Sequence, residues 1–138
     1  MALKITLKPH ERLIIGGAVI SNGNAKTELI VENNVAILRE KDIMNLKDAD
    51  SPCKKIYFII QMMYVDEKNI AEHHKTYWEL VKDVVEAAPS TRPMLQVISS
   101  DILHRNFYRA LKAAKKLIEY EREVINLVHT TDSGIQKR

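Results

Sequence analysis

Five histidines, one cysteine and an uneven spread of lysine and arginine are the side chains with which this 138-residue chain could do chemistry. His73 and His74 are adjacent, and neighbours on a helix point about 100° apart, whereas a two-histidine metal site needs a spacing near four. His74 is therefore expected to pack and His73 to face solvent. His10, His104 and His129 have no acid or cysteine at ligand spacing. Cys53, being single, excludes an internal disulfide or a cysteine zinc cluster, and no base near it in sequence would activate its thiol. The serines lack a Gly-x-Ser-x-Gly elbow, and Gly16-Gly17 is too short to cradle a phosphate. Glu119 and Glu123 lie at helical spacing, where a solvated face is the usual use of paired acids. The expectation is a protein that is not an enzyme and holds no metal or cofactor.

The cations carry more information. Residues 92–138 hold nine basic and five acidic side chains, and the stretch from 105 to 116 has five basic groups and no acid. Arg105, Arg109, Lys112 and Lys116 are spaced four, three and four, which would place them on one helix face. Cations early in a helix, with Glu119, Glu121 and Glu123 late, oppose the helix dipole, so the order has a stability cost. Three uses are open: RNA phosphates, antiparallel pairing with a second copy or another helix, or a solvated face with internal pairs such as Lys115 with Glu119. In the first strand Lys4 and Lys8 share a face with Thr6, and Arg39 and Lys41 close the last strand. These cations would converge if the two strands were neighbours. No aromatic residue precedes Tyr57, which excludes a sheet that stacks bases on aromatics.

The elements that must position these groups divide the chain in two. Leu3, Ile5 and Leu7 alternate with polar residues as in a half-buried strand. Arg12 to Ile20 is a second extended run, bent or bulged at Gly16-Gly17, and Asn22-Gly23 signals a hairpin. Thr27–Glu32 and Val35–Glu40 follow as strands around Asn33-Asn34. Residues 1–44 thus read as an antiparallel β meander, and residues 51–128 as a bundle of three to four helices. In the segment KKIYFIIQMMYV at 54–65, the ten residues after the two lysines are apolar on all sides except for Gln61, and Ser51-Pro52 before it is a helix start. It suits a buried helix, with a central strand over Tyr57–Ile60 as the other option. Asp66 can cap a helix with the stripe Ile70, His74, Tyr77, Val81, Val84 and Ala88; Pro93 can start a short one to Ile98; Ser100 or Asp101 can cap the last. Only Glu121 interrupts the apolar seam of that last helix. Residues 129–138 read as a disordered tail. The whole is an α+β single domain over 1–138.

No apolar run approaches the roughly 20 residues of a membrane span, and Met1 to Leu13 lacks a secretory apolar core. A cytoplasmic protein without a membrane partner is expected.

Several blocks taken together carry a resemblance: Met1-Ala2-Leu3-Lys4 with Leu7-Lys8-Pro9, Asn22-Gly23, LREKDIM at 38–44 and IYFIIQMMYVD at 56–66. In these the chain resembles the FlbT family of post-transcriptional regulators of flagellin synthesis. The resemblance implies a repressor that associates with the 5′ untranslated region of flagellin mRNA and promotes its degradation, with FlaF acting in the opposite sense. Residues 3–43 are also similar, more faintly, to the carbon storage regulator family of RNA-binding β proteins that dimerise by interlocking strands. That similarity rests on Leu13, Ile15, Gly16, Arg39, Glu40 and Ile43, and it implies RNA contact by Arg39 and a carbon-storage-regulator-like sheet. The expected RNA-binding residues are Lys4, Lys8, Arg39, Lys41, Arg105, Arg109, Lys112 and Lys116. The second reading is a protein-interaction module for flagellin or FlaF that affects messages indirectly. A homodimer is expected in either case.

Overall fold

The computed structural model describes residues 2–136, with side chains through residue 125. The chain is α+β as expected: antiparallel strands β1 (Leu3–Leu7), β2 (Arg12–Ile15), β3 (Ala18–Ser21), β4 (Thr27–Val31) and β5 (Ile37–Arg39) precede helices α1 (Pro52–Val65), α2 (Ile70–Ala87), α3 (Arg92–Leu103) and α4 (Phe107–Gln136). The strands do not follow one another as in a simple meander. β1 pairs with β4, while β3, β2 and β5 form a second sheet in that order.

Turn chemistry explains the difference. Gly16 and Gly17 both adopt positive φ, at 56° and 89°, so they form a two-residue hairpin that pairs Ile15 with Ala18. They are the hairpin, rather than a bend within one long strand. Asn22-Gly23, the expected hairpin, instead lies in the longer connection to β4. There the Asn22 amide donates to the Lys8 and Ala25 carbonyls at 2.8 and 2.9 Å, which ties that loop to the end of β1. β1 and β5 are consequently not neighbours.

In the β3–β2–β5 sheet, β2 and β5 are covered on both faces. Leu13, with Ile15 and Ile37, packs against Ile5 and Leu7 of β1, whereas Ile14 and Leu38 join the helical core. α1 lies at the centre of that core, packed against α2 and α4 and burying Ile56, Tyr57, Ile59, Ile60, Gln61 and Met63. The helix assignment therefore holds over the strand alternative. Ser51 caps it, accepting from the Lys54 N–H at 3.2 Å.

The polar residues inside apolar segments turn out to be the ties between elements. Gln61 accepts the Met44 N–H at 2.8 Å and donates to the Met44 carbonyl at 3.0 Å. Tyr57 donates to the Asp42 carbonyl at 2.5 Å, and Tyr64 accepts from the Ile37 N–H at 3.3 Å. Positions 57, 61 and 64 share one helix face, so α1 holds the backbone of residues 37–44 by a ladder of three side chains. Glu121, the apparent flaw in the α4 seam, accepts from the Ser51 hydroxyl at 2.5 Å and from the Cys53 N–H at 3.2 Å. It completes the cap of α1, favoured there by the helix dipole.

Three boundary expectations are corrected. A short 3₁₀ turn, Glu67–Asn69, separates α1 from α2, and Asp66 accepts from the Asn69 amide and from His73 Nε2, each at 3.0 Å, instead of capping the helix. His73 is accordingly half-buried, not solvent-facing. α3 runs past Ile98 to Leu103, so Ser100 and Asp101 lie inside it and cap nothing. It stops by a Schellman arrangement in which the Asn106 and Arg105 N–H groups donate to the Asp101 and Ile102 carbonyls, with Arg105 at φ 59°. α4 runs to Gln136, across most of the segment expected as a disordered tail. Residues 137 and 138 lie outside the described residues.

Candidate functional site

Of the expected basic groups, Lys41 from the strand half and Lys112 from the helical half meet at one buried carboxylate. Asp42 ends the short 3₁₀ turn Glu40–Asp42 that follows β5, and it is 3% exposed. Lys115 of α4 forms an ion pair and hydrogen bond with its Oδ1, and Lys112 Nζ lies 3.4 Å from the same oxygen. Burial alone would raise the Asp42 pKa. The hydrogen bond and charge of Lys115, followed by those of Lys112, outweigh it and hold the carboxyl below its ordinary value. The backbone carbonyl of Asp42 is meanwhile fixed by Tyr57, so the acid cannot withdraw from between the lysines.

A basic surface surrounds this anchor. Lys41 is adjacent and exposed, and with Lys115, Tyr57 and Ile118 it borders a shallow hollow of about 230 Å³. On α4, Arg109 and Lys116 are exposed on the same outward face as Lys112 and make no ion pair among the described residues. Tyr108 is exposed beside them, with Lys112 Nζ 4.9 Å from its ring centroid. The Lys112 pKa is raised, first by side-chain hydrogen bonding to Tyr108 and then by the charge of Asp42, against burial. The first turn of α4 has no acidic residue, so the positive end of its dipole adds to the same field.

The other expected residues are placed elsewhere. Arg39 donates to the Thr6 carbonyl at 2.7 Å and pairs with Glu11 at 3.4 Å, joining the two sheets. Lys4 pairs with Glu28 across β1 and β4 at 3.3 Å. Lys8 is exposed at the end of β1. Arg105 leaves the helical face altogether: it occupies the turn before α4, over the Phe107 ring and 3.9 Å from Glu67. There it borders a cleft of about 1,090 Å³ between the two halves. The cleft is lined by apolar groups including Ile14, Met44, Met62 and Val65, with Val19 and Leu46 strongly exposed at its walls.

Sequence reasoning missed Asp42, Lys115 and Tyr108. Helical spacing matches Lys115 with Glu119, its neighbour one turn on, because long-range partners are invisible to it. Asp42 sits in the LREKDIM block between Lys41 and Ile43, where an acid beside an apolar pair was the available signal.

The Cys53 thiol is pushed up to about 12, first by burial and then by Glu121, and so stays protonated. Among the described residues no group of three or more histidine, cysteine or acidic side chains could hold a metal.

A family model described as "Flagellar protein FlbT" matches residues 3–125. A protein of Bradyrhizobium diazoefficiens named "Probable flagellum biosynthesis repressor protein FlbT 1" is 45% identical over 125 residues, covering 90% of this chain and 85% of its own. One of Rhodopseudomonas palustris, named "Probable flagellum biosynthesis repressor protein FlbT", is 38% identical over 91% of this chain and 99% of its own. A Caulobacter vibrioides protein named "Flagellum biosynthesis repressor protein FlbT" is 35% identical, covering 89% of each. No solved structure matches.

Proposed function

The chain belongs to the FlbT family, and from that premise we propose that it is a repressor in flagellum biosynthesis acting after transcription, on flagellin messages. It associates with the 5′ untranslated region of flagellin mRNA and promotes degradation of the message. The observation that supports RNA contact is the pairing of Lys112 and Lys115 with Asp42 beside Lys41, with Arg109 and Lys116 exposed on the same face of α4 and a net positive field at its start. These five cations, not Lys4, Arg39 or Arg105, are the phosphate contacts. Asp42 keeps two of them in place while neutralising only one charge. The protein acts in the cytoplasm, where its message is, and no helix among the described residues is long and apolar enough to cross a membrane.

The test is the lifetime of flagellin mRNA in cells lacking the protein and complemented with the wild type or with Arg109→Glu/Lys116→Glu. The wild type shortens that lifetime and the charge-reversed protein, present at equal level, does not. Equal shortening by both would remove the basic face from the mechanism.

The cleft favours a second reading, a module that binds flagellin or FlaF and affects messages indirectly. On its rim Arg12 is paired with Glu40 and Arg105 with Glu67, while Val19 and Leu46 stand as exposed apolar contacts beside Lys68. RNA-free capture of flagellin, lost in Leu46→Asp and kept in Arg109→Glu, would support this reading over the first.

A further inference from the structure

The basic face carries one group that phosphate binding does not need. Tyr108 is 46% exposed, while its neighbour Phe107 and the other tyrosines of the core, Tyr57 and Tyr77, are buried. Tyr77 bonds Ser99 and stacks edge-on with Trp78 on α2. Tyr108 instead stands among cations, next to Arg109 and one turn before Lys112, whose ammonium approaches the ring to 4.9 Å. Its contact with Lys112 leaves the Tyr108 ring nearly half exposed beside these cations, with an aromatic face open to a planar partner.

We infer that Tyr108 is a stacking platform for an unpaired base, so that the basic face takes single-stranded RNA in preference to duplex. This rests on the RNA-binding reading above and names the form of RNA that the site accepts. The physical reason is geometric. A base can lie flat on a tyrosine only when it is out of a helical stack, whereas duplex RNA presents phosphates and 2′-hydroxyls to a convex protein face. Arg109, Lys112 and Lys116 would hold the backbone on either side of the stacked base, in the way aromatic residues and cations alternate in single-strand grooves. Lys112 has a double role in this arrangement. It keeps the ring oriented from one side and is itself held by Asp42.

The experiment uses the full chain with fluorescein-labelled oligoadenylate of roughly 12 nucleotides, and the same strand annealed to oligouridylate, followed by anisotropy at low salt. The single strand is expected to bind more tightly. Tyr108→Ala should weaken single-strand binding by about 5- to 100-fold, with the slope of affinity against salt unchanged, because a stacking contact displaces no counterion. Tyr108→Phe keeps the aromatic face and should bind like the wild type. Tyr108→Leu preserves apolar bulk beside Lys112 and should bind as weakly as alanine. Duplex binding should be the same for all four proteins. Equal losses on both RNAs, or full single-strand binding by Tyr108→Leu, would overturn the inference while leaving phosphate contact intact. Absence of binding by the wild type to either RNA would overturn the RNA-binding reading and this inference with it.

Discussion

Asp42 anchors two cations of the basic face while neutralising one charge of it, and its behaviour with pH follows from these partners. Its pKa in the fold lies below the value near 3.9 of an unfolded aspartate. The stabilisation is therefore fully present above about pH 4 to 5 and is lost as pH falls through the lowered folded value. Asp42→Asn should cost about 1 to 2 kcal/mol at pH 7, since the lysines can turn into water, and the difference from the wild type should vanish in strong acid; urea melts across pH measure it. The same substitution frees Lys112 and Lys115, so RNA affinity should rise even as stability falls. Arg39 behaves in the opposite way. Its bonds to Thr6 and Glu11 predict a loss of about 1 kcal/mol in Arg39→Ala, with the salt slope of RNA binding unchanged. A flattened slope in that variant would return Arg39 to the contact set.

At the level of elements, α1 organises the molecule by contacts that its apolar content conceals. Its burial, its start at Ser51 and its helical state were legible, because a segment without a polar face must be wrapped and Ser-Pro fixes the first turn. That Gln61 and the two tyrosines serve as a ladder for residues 37–44 was not, since hydrogen bonds to distant backbone leave no periodic trace. Gln61→Leu should keep the helix but strand the Met44 N–H and carbonyl, destabilising by about 2 kcal/mol in a denaturant melt. A neutral result would mean water replaces the amide there. The turn before α4 shows another limit. Ser100 and Asp101 are good caps by type, yet the helix stops later because Arg105 accepts a left-handed conformation usually given to glycine. One displaced boundary moved Arg105 from the basic face to the cleft.

Across the whole molecule, the two halves foreseen from composition are joined through the blocks that carried the family resemblance. LREKDIM and IYFIIQMMYVD meet through Tyr57 and Gln61 on the backbones of Asp42 and Met44. The cations of both halves were visible as residue types, but their convergence was not, because it depends on Asp42 being carried under α4 by this docking. Strand order was likewise hidden, since any of several antiparallel pairings satisfies the same alternation. The outcome leaves β3 as an edge whose four residues, Ala18 to Ser21, are exposed and uncharged. Such an edge invites pairing with a second copy, and light scattering should give twice the 15.9 kDa chain mass. A monomeric mass at micromolar concentration would contradict this. The central claim, direct phosphate contact by the face around Asp42, is tested most directly by binding of flagellin leader RNA over a salt series. Five cations on single-stranded RNA predict a slope of log affinity against log salt of about −3.5, reduced by about 1 for each of Arg109→Glu and Lys116→Glu; a flat slope, or no binding by the purified protein at low salt, would contradict it.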